Sequence, residues 1–293
     1  MAINVFILIS GYFMCRQAFK WKKVAFLVCQ VEFYRIAIYL IFILTGYEIF
    51  SPKEFYKAVM DVPLGLFNGF TGSFIALYCL IPFMNSLIYA LKKNEFQKLL
   101  LTMFVILCAI PTVCLNWRFE YLVWYFFIYL VGGYIRIYSI GFLEGCGKRA
   151  AILAWASLIL SWASIVAVYL LEVMLKRSLP HYWFVADSNK MLAFLPAVLI
   201  FYAFKNWDMR SNKFINIIGA STFGVLLIHA SSDTMRKWLW QDFCQNEQWF
   251  SSRWFIGHAV LCVTAVFSVC VIVDVLRKQI CILGTRVIYW RKK

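Results

Sequence analysis

Charge is what this sequence has least of. Only 15% of its 293 residues are Asp, Glu, Lys or Arg, against 63% hydrophobic and 19% aromatic. That leaves too little polar surface to cover a water-soluble globule. Proline (6) and glycine (14) are sparse and nowhere gather with serine into a linker, which argues against a tethered second domain; residues 1–293 read as one integral membrane domain. Histidine occurs three times. The ten cysteines show no C-x-x-C or Cys/His spacing, so no metal site is expected and the thiols read as small buried hydrophobes. Also missing are a G-x-S-x-G elbow, H-E-x-x-H, a P-loop, a dinucleotide fingerprint and His-x4-Asp, so the enzyme classes they mark find no support. The first apolar run starts at once, without a basic leader or a small-residue cleavage pattern, and no separate signal peptide is expected.

What fills the chain is apolar runs of membrane length, for which about 17 to 25 residues at about 1.5 Å each are needed. Nine passes are placed, at 2–15, 24–45, 67–91, 99–115, 119–143, 150–173, 189–204, 214–230 and 254–276. The net charge is +15, with 29 basic against 14 acidic residues. The basic residues fall in small clusters between the runs, a pattern that fits topology signals and anionic membrane lipid and not nucleic acid. Alternate loops, including Arg16, Lys20, Lys22 and Lys23 and the tail from Arg277, hold 18 of them; the intervening loops hold nine. By the positive-inside rule the C-terminus is cytoplasmic and the first run begins outside. The expected fold is therefore all-α, a polytopic helical bundle of about nine transmembrane helices in the plasma membrane.

Smaller features follow. Ser51-Pro52-Lys53-Glu54 has the form of a capping box with proline at the first helical position, and Phe55, Val59 and Val62 follow at helical spacing; a short surface helix is expected there. The loop 231–253 carries Trp238, Trp240, Phe243, Trp249 and Phe250, which suit an interfacial aromatic belt or a sugar-stacking platform. Asn85, behind Pro82, is placed to satisfy backbone groups freed by the proline.

Ionisable groups inside the runs are the candidates for function, because each costs about 2.5 to 3.5 kcal/mol unless paired or facing a wet cavity. Glu32 and Arg35 share a helical face. Counted from Lys23 at about 1.5 Å per residue, they lie roughly 13 and 18 Å deep in a core about 30 Å thick. A self-neutralising structural pair and a functional pair both fit. Arg136, after Gly132-Gly133, is either a phosphate or carboxylate clamp or a side chain that snorkels to the surface. In 218–230, Ser221-Thr222 can cap a helix that ends at His229, which is either a titratable group in a site or incidental at the water boundary.

Asn4-Val5-Phe6-x3-Ser10-Gly11-Tyr12-Phe13 resembles the second-helix motif of the membrane-bound acyltransferase-3 family, whose members O-acylate surface glycans. Ser221-Thr222-Phe223-Gly224-Val225-Leu226-Leu227-Ile228-His229 resembles that family's penultimate helix, with Leu226 where an aromatic is usual and Ala230 where a polar residue often follows. Tyr78-x3-Pro82-x2-Asn85 and Gly133-Tyr134-Ile135-Arg136 are similar to weaker family patterns. The resemblance implies ten helices, of which the first, carrying the catalytic histidine, precedes this sequence; no residue here is assigned that role. It implies transfer of an acyl group, acetyl above all, from cytoplasmic acyl-CoA to a hydroxyl of a surface polysaccharide, glycolipid or lipid-linked sugar. Ser10, Gly11, Tyr12, Glu32, Arg35, Arg136 and His229 would line the site, and Arg16, Lys20, Lys22 and Lys23 would meet the CoA phosphates. A transporter or flippase for lipid-linked sugars, and a non-catalytic remnant of the acyltransferase, are the alternatives.

Overall fold

The computed structural model describes residues 1–60, 62, 69–114 and 120–291, with side chains as far as Cys281. It is 79% helical, and the described residues form no strand. Residues 67, 68, 115 and 119 of the expected passes, Arg118, and the side chains of Arg286, Arg291, Lys292 and Lys293 lie outside the described residues. The helices are α1 (Ala2–Met14), α2 (Trp21–Leu44), α3 (Pro52–Val59), α4 (Gly69–Ala90), α5 (Lys93–Val113), α6 (Tyr121–Ile137), α7 (Gly147–Leu175), α8 (Met191–Lys205), α9 (Lys213–His229), α10 (Asp233–Phe243) and α11 (Phe255–Arg291).

Five of these, α2, α4, α5, α7 and α11, are long and apolar enough to cross a membrane, and α9 with α10 makes a sixth if the pair, bent by 98°, counts as one span. The apolar helices α1, α6 and α8 are shorter. Large side chains stand exposed along the long helices, among them Trp155, Ile159 and Trp162 of α7 and Ile256, Val260 and Leu261 of α11. Lipid tails cover such faces at no cost, whereas water does not. The chain is a helical membrane protein.

The absence of a linker describes the covalent order. By contacts the chain divides into two compact units, residues 1–25 with 63–208 and residues 26–62 with 209–293, so α2 begins in the first and continues in the second. In the first unit α6 is the centre. Its residues from Trp124 to Ile135 are buried, all but Phe126, as expected of a helix apolar on every side. Helices α1, α4 and α5 pack around it, and α8 packs on α1 and α7. At the α1–α6 crossing, a Cβ on Gly132 would lie 2.5 Å from Leu8 O and 2.9 Å from Tyr12 N, and one on Gly11 would lie 2.9 Å from Tyr129 Cα. Only glycines admit backbones this close.

Prolines inside helices leave the carbonyl four residues back without its N–H partner, and at two of them a neighbouring element supplies one. Pro196 of α8 leaves Leu192 O, which accepts from Ser161 Oγ of α7 at 3.0 Å. Pro111 leaves Leu107 O, which accepts from Asn189 Nδ2 at 3.1 Å, while Lys190 Nζ donates to Pro111 O at 2.5 Å. Asn85 departs from the expected role beside Pro82. Its Nδ2 donates to Met14 O at 3.1 Å and its Oδ1 accepts from Tyr129 Oη at 2.8 Å, joining α1, α4 and α6.

In the second unit α9 packs against α11. Asn212 caps α9, accepting from Phe214 N at 2.8 Å, so Ser221 and Thr222 lie in mid-helix and not at its start. The surface helix α3 forms with Pro52 in its first turn and no residue buried, yet its capping box does not close. Ser51 N donates to Tyr39 Oη at 3.2 Å, and Glu54 instead pairs with Lys57 at 2.7 Å.

The close crossing has a direct test. Gly132→Ala is expected to lower the melting temperature of the purified protein in detergent, at a cost of about 1 to 3 kcal/mol. Gly219→Ala, in α9 with nothing within 4 Å of the added carbon, is expected to hold or raise it. Equal responses at the two positions would remove the steric argument.

Candidate functional site

The glycine crossing in the first unit sets two side chains face to face. Tyr12 follows Gly11 on α1, and Arg136 lies one turn beyond Gly132 on α6, so close approach at the glycines brings the next groups together. Arg136 Nη1 donates to Tyr12 Oη at 2.8 Å, and the guanidinium carbon lies 4.7 Å from the centre of the Tyr12 ring. The arginine is half-buried and laid over the ring, not extended to the surface. It makes no ion pair among the described residues, and its Nε is buried without a hydrogen-bond partner. Its charge is thus met by a ring face and one phenol oxygen, with donor capacity left for an incoming carbonyl or phosphate oxygen. Ser10 does not join it: Ser10 Oγ donates to Phe6 O of its own helix at 3.0 Å. Arg16, Lys20, Lys22 and Lys23 follow α1 as exposed side chains, and Lys23 Nζ donates to Gln17 Oε1 at 3.3 Å.

Glu32, Arg35 and His229 belong to the second unit. Glu32 Oε1 accepts from Val62 N at 3.2 Å. Arg35, one turn further along α2, lines a polar pocket of about 350 Å³ together with residues of α3 and of the α9–α10 break. His229 Nδ1 donates to Val225 O at 2.7 Å, which leaves Nε2 as the basic nitrogen of the neutral ring. The other histidines are engaged structurally. His181 pairs with Glu172, and His258 Nε2 donates to Cys244 O at 2.9 Å while its ring stacks on Trp249. Beyond the end of α2, Tyr47 donates to Asp242, and that carboxylate holds the exposed phenol's pKa above its ordinary value.

One cluster went unread in the sequence. Asp274 of α11 is fully buried. Its Oδ1 accepts from Tyr34 Oη at 2.7 Å and from Arg277 Nη2 at 2.9 Å, and its Oδ2 pairs with Lys278 Nζ at 2.6 Å. Lys278 Nζ also donates to Ala220 O at 2.8 Å and Ser221 Oγ at 3.1 Å. Gly224 is the seat of the carboxylate, since a Cβ there would lie 2.8 Å from Asp274 Cβ. Ser221 and Gly224 of the Ser-Thr-Phe-Gly motif therefore serve this clamp between α9, α11 and α2. The signal was available as acid, Arg and Lys at i, i+3 and i+4, the relation already noted at Glu32 and Arg35.

No protein family, curated protein or solved structure matches this chain. The site rests on its own geometry.

Removing one partner of a buried charge cluster strands the rest. Asp274→Asn is expected to cost about 3 to 5 kcal/mol of stability. Lys278→Met is expected to cost less, because the lysine side chain is 32% exposed against 0% for Asp274. Thermal melts of the two variants beside the parent check the order; an Asp274→Asn protein as stable as the parent would end the clamp's structural role.

Proposed function

We propose that this chain is an O-acyltransferase of the acyltransferase-3 type. It moves an acyl group, acetyl above all, from acyl-CoA on the cytoplasmic side to a hydroxyl of a surface polysaccharide, glycolipid or lipid-linked sugar. The observation that carries the reading is the contact between Tyr12 and Arg136, 124 positions apart in the sequence. Each belongs to a stretch that resembles a family pattern, and Gly11 of the first stretch with Gly132, just before the second, makes the crossing possible. The reading includes nine passes, the five long helices with α1, α6, α8 and α9, in a plasma membrane with the C-terminus inside. The excess of Lys and Arg on alternate loops supports that orientation.

In the reaction the acceptor hydroxyl oxygen bonds to the thioester carbonyl carbon and the carbon–sulfur bond breaks. The hydroxyl proton passes by way of a general base, which is assigned to no residue of this chain, to the departing sulfur. Arg136 is the donor for the oxygen on which charge develops or for a CoA phosphate, and Tyr12 holds the guanidinium in place. The exposed Arg16, Lys20, Lys22 and Lys23 supply attraction for the CoA phosphates. Ser10, whose hydroxyl is turned to its own helix, contributes wall and not chemistry. Glu32, Arg35 and His229, all of the second unit, are given no step in this reading. A transporter of lipid-linked sugars is the second reading, favoured by the 98° break between α9 and α10, since broken helices line transport sites.

The test is transfer of label from radioactive acetyl-CoA to glycan in membranes that contain the full protein. Arg136→Ala is expected to lower kcat/KM by about a hundredfold, with Arg136→Lys intermediate and Tyr12→Phe milder than either. Label transfer unchanged in Arg136→Ala would end this assignment of Arg136. Movement of a lipid-linked sugar without label transfer would select the transporter, and neither activity would select the non-catalytic remnant.

A further inference from the structure

In the second unit two cysteines from different elements meet at one histidine. Cys244 follows α10 and is 4% exposed; Cys262 lies one turn after His258 on α11 and is 7% exposed. The i, i+4 spacing sets His258 and Cys262 on one helix face. His258 Nε2 donates to Cys244 O at 2.9 Å and lies 3.3 Å from Cys262 Sγ. One N–H group thus touches the backbone of the first cysteine and the sulfur of the second. Trp249 stacks on the imidazole with ring centres 4.6 Å apart, which holds that ring in place. The two thiols are themselves in hydrogen-bonding contact.

A buried cysteine that serves only as a small hydrophobe needs no such company. Cys270, two turns further along α11, is buried with no printed side-chain hydrogen bond. Nor do the three side chains form a metal cage: among the described residues no group of three ligating side chains could hold an ion. Two free thiols in contact across a loop leave one further chemistry, which is to join.

We infer that Cys244 and Cys262 are the two halves of a disulfide that staples the loop after α10 to α11, formed on the outer side by exchange with a small disulfide of the glutathione class. Cys244 belongs to the loop and reacts first. Its thiolate attacks one sulfur of the oxidant, whose other sulfur leaves and takes up the Cys244 proton. Docking of the loop then brings this mixed disulfide against Cys262. His258 has Nε2–H committed to Cys244 O, so Nδ1 is its basic nitrogen, and that atom lies 3.8 Å from Cys262 Sγ. Nδ1 takes the Cys262 proton, the thiolate attacks Cys244 Sγ, and the oxidant's second sulfur departs and receives the proton. The two cysteines are oxidised and the oxidant is reduced to two thiols. The order matters because the thiolate is the nucleophile. In the docked loop, burial first and the neighbouring Cys262 thiol second push the Cys244 thiol up to about 11, where it is protonated at neutral pH and slow to react.

The inference draws on the orientation within the proposed function, which puts this loop outside, where disulfides persist; it needs no acyl transfer. Cells containing the full protein are lysed into denaturant with excess N-ethylmaleimide, so that every free thiol is capped. The protein is digested without reductant and its peptides are weighed. A peptide containing Cys244 joined to one containing Cys262 is expected. Reductant is expected to lower the melting temperature of the parent in detergent by several degrees and to leave that of Cys262→Ser unchanged; the peptide map of the parent stands even where that variant fails to fold.

Both cysteines capped in the parent, or either one joined elsewhere, would overturn the inference. Protease treatment of sealed cells carrying a C-terminal tag reads the orientation separately. Joined peptides with a tag cut from outside would keep the staple and remove the orientation. Capped cysteines with a protected tag would remove the staple and keep the orientation.

Discussion

Hydrocarbon offers no hydrogen bonds, so every polar group taken into it must bring a partner from elsewhere in the chain. Asn4 carries α1 into the first unit on this condition. Its Nδ2 donates to Ser188 O at 2.7 Å and Ala193 O at 3.1 Å, and its Oδ1 accepts from Trp124 Nε1 at 2.9 Å. One side chain thereby ties α1, α6 and the start of α8 together. A hydrogen bond contributes only about 0.5 to 1.5 kcal/mol net, but leaving a buried partner unmade costs about 1 to 3 kcal/mol. The larger penalty acts on the alternatives: any packing that separates these helices strands several groups at once.

The same condition explains where the connecting segments go. The segment before α8 is drawn onto the end of α5 because that end has carbonyls to satisfy. Pro111 and a π-wound turn at Val105–Ala109 loosen the ladder there. Trp183 donates to Thr112 O at 2.8 Å, and Thr112 Oγ1 in turn accepts from Met191 N at 2.9 Å. Lys190 is buried at this end because Pro111 O gives its ammonium an acceptor. The segment is thus positioned by the defects of a neighbouring helix more than by its own apolar content.

These relations also separate what was legible in the sequence from what was not. The long helices were legible because bilayer thickness sets a length that apolar runs display directly. Gly11 and Gly132 stood out only as members of the stretches around Tyr12 and Arg136, and their meeting was not legible, since nothing local says that α1 meets α6. The proline argument was right in kind and wrong in residue. Ser161 and Asn189, from other elements, supply the missing bonds, while nearby Asn85 was recruited by α1 and α6. At Ser51 a local capping pattern lost to Tyr39, twelve residues away, whose phenol meets both the N–H and the carbonyl of the serine. The two units were invisible because each is assembled from separated stretches of similar composition. Asp274 was passed over because Arg277 and Lys278 beside it had already been explained as topology signals.

Two arginines are met differently by their surroundings. Arg277 lies 5.5 Å from the centre of the Tyr34 ring, and Arg136 lies 4.7 Å from that of Tyr12. Each also donates to the phenol oxygen of its tyrosine, at 3.0 and 2.8 Å. The two settings diverge at the carboxylate: Arg277 spends Nε and Nη2 on Asp274, whereas Arg136 meets no carboxylate among the described residues. The fold therefore contains a complete way to bury an arginine, and Arg277 shows it. A bundle needing only neutrality at position 136 would have gained from an acid within reach, because a stranded guanidinium is among the costlier groups to bury. The open donors of Arg136 are what the proposed function would draw on: an incoming oxygen, of a thioester or a phosphate, would be the missing acceptor.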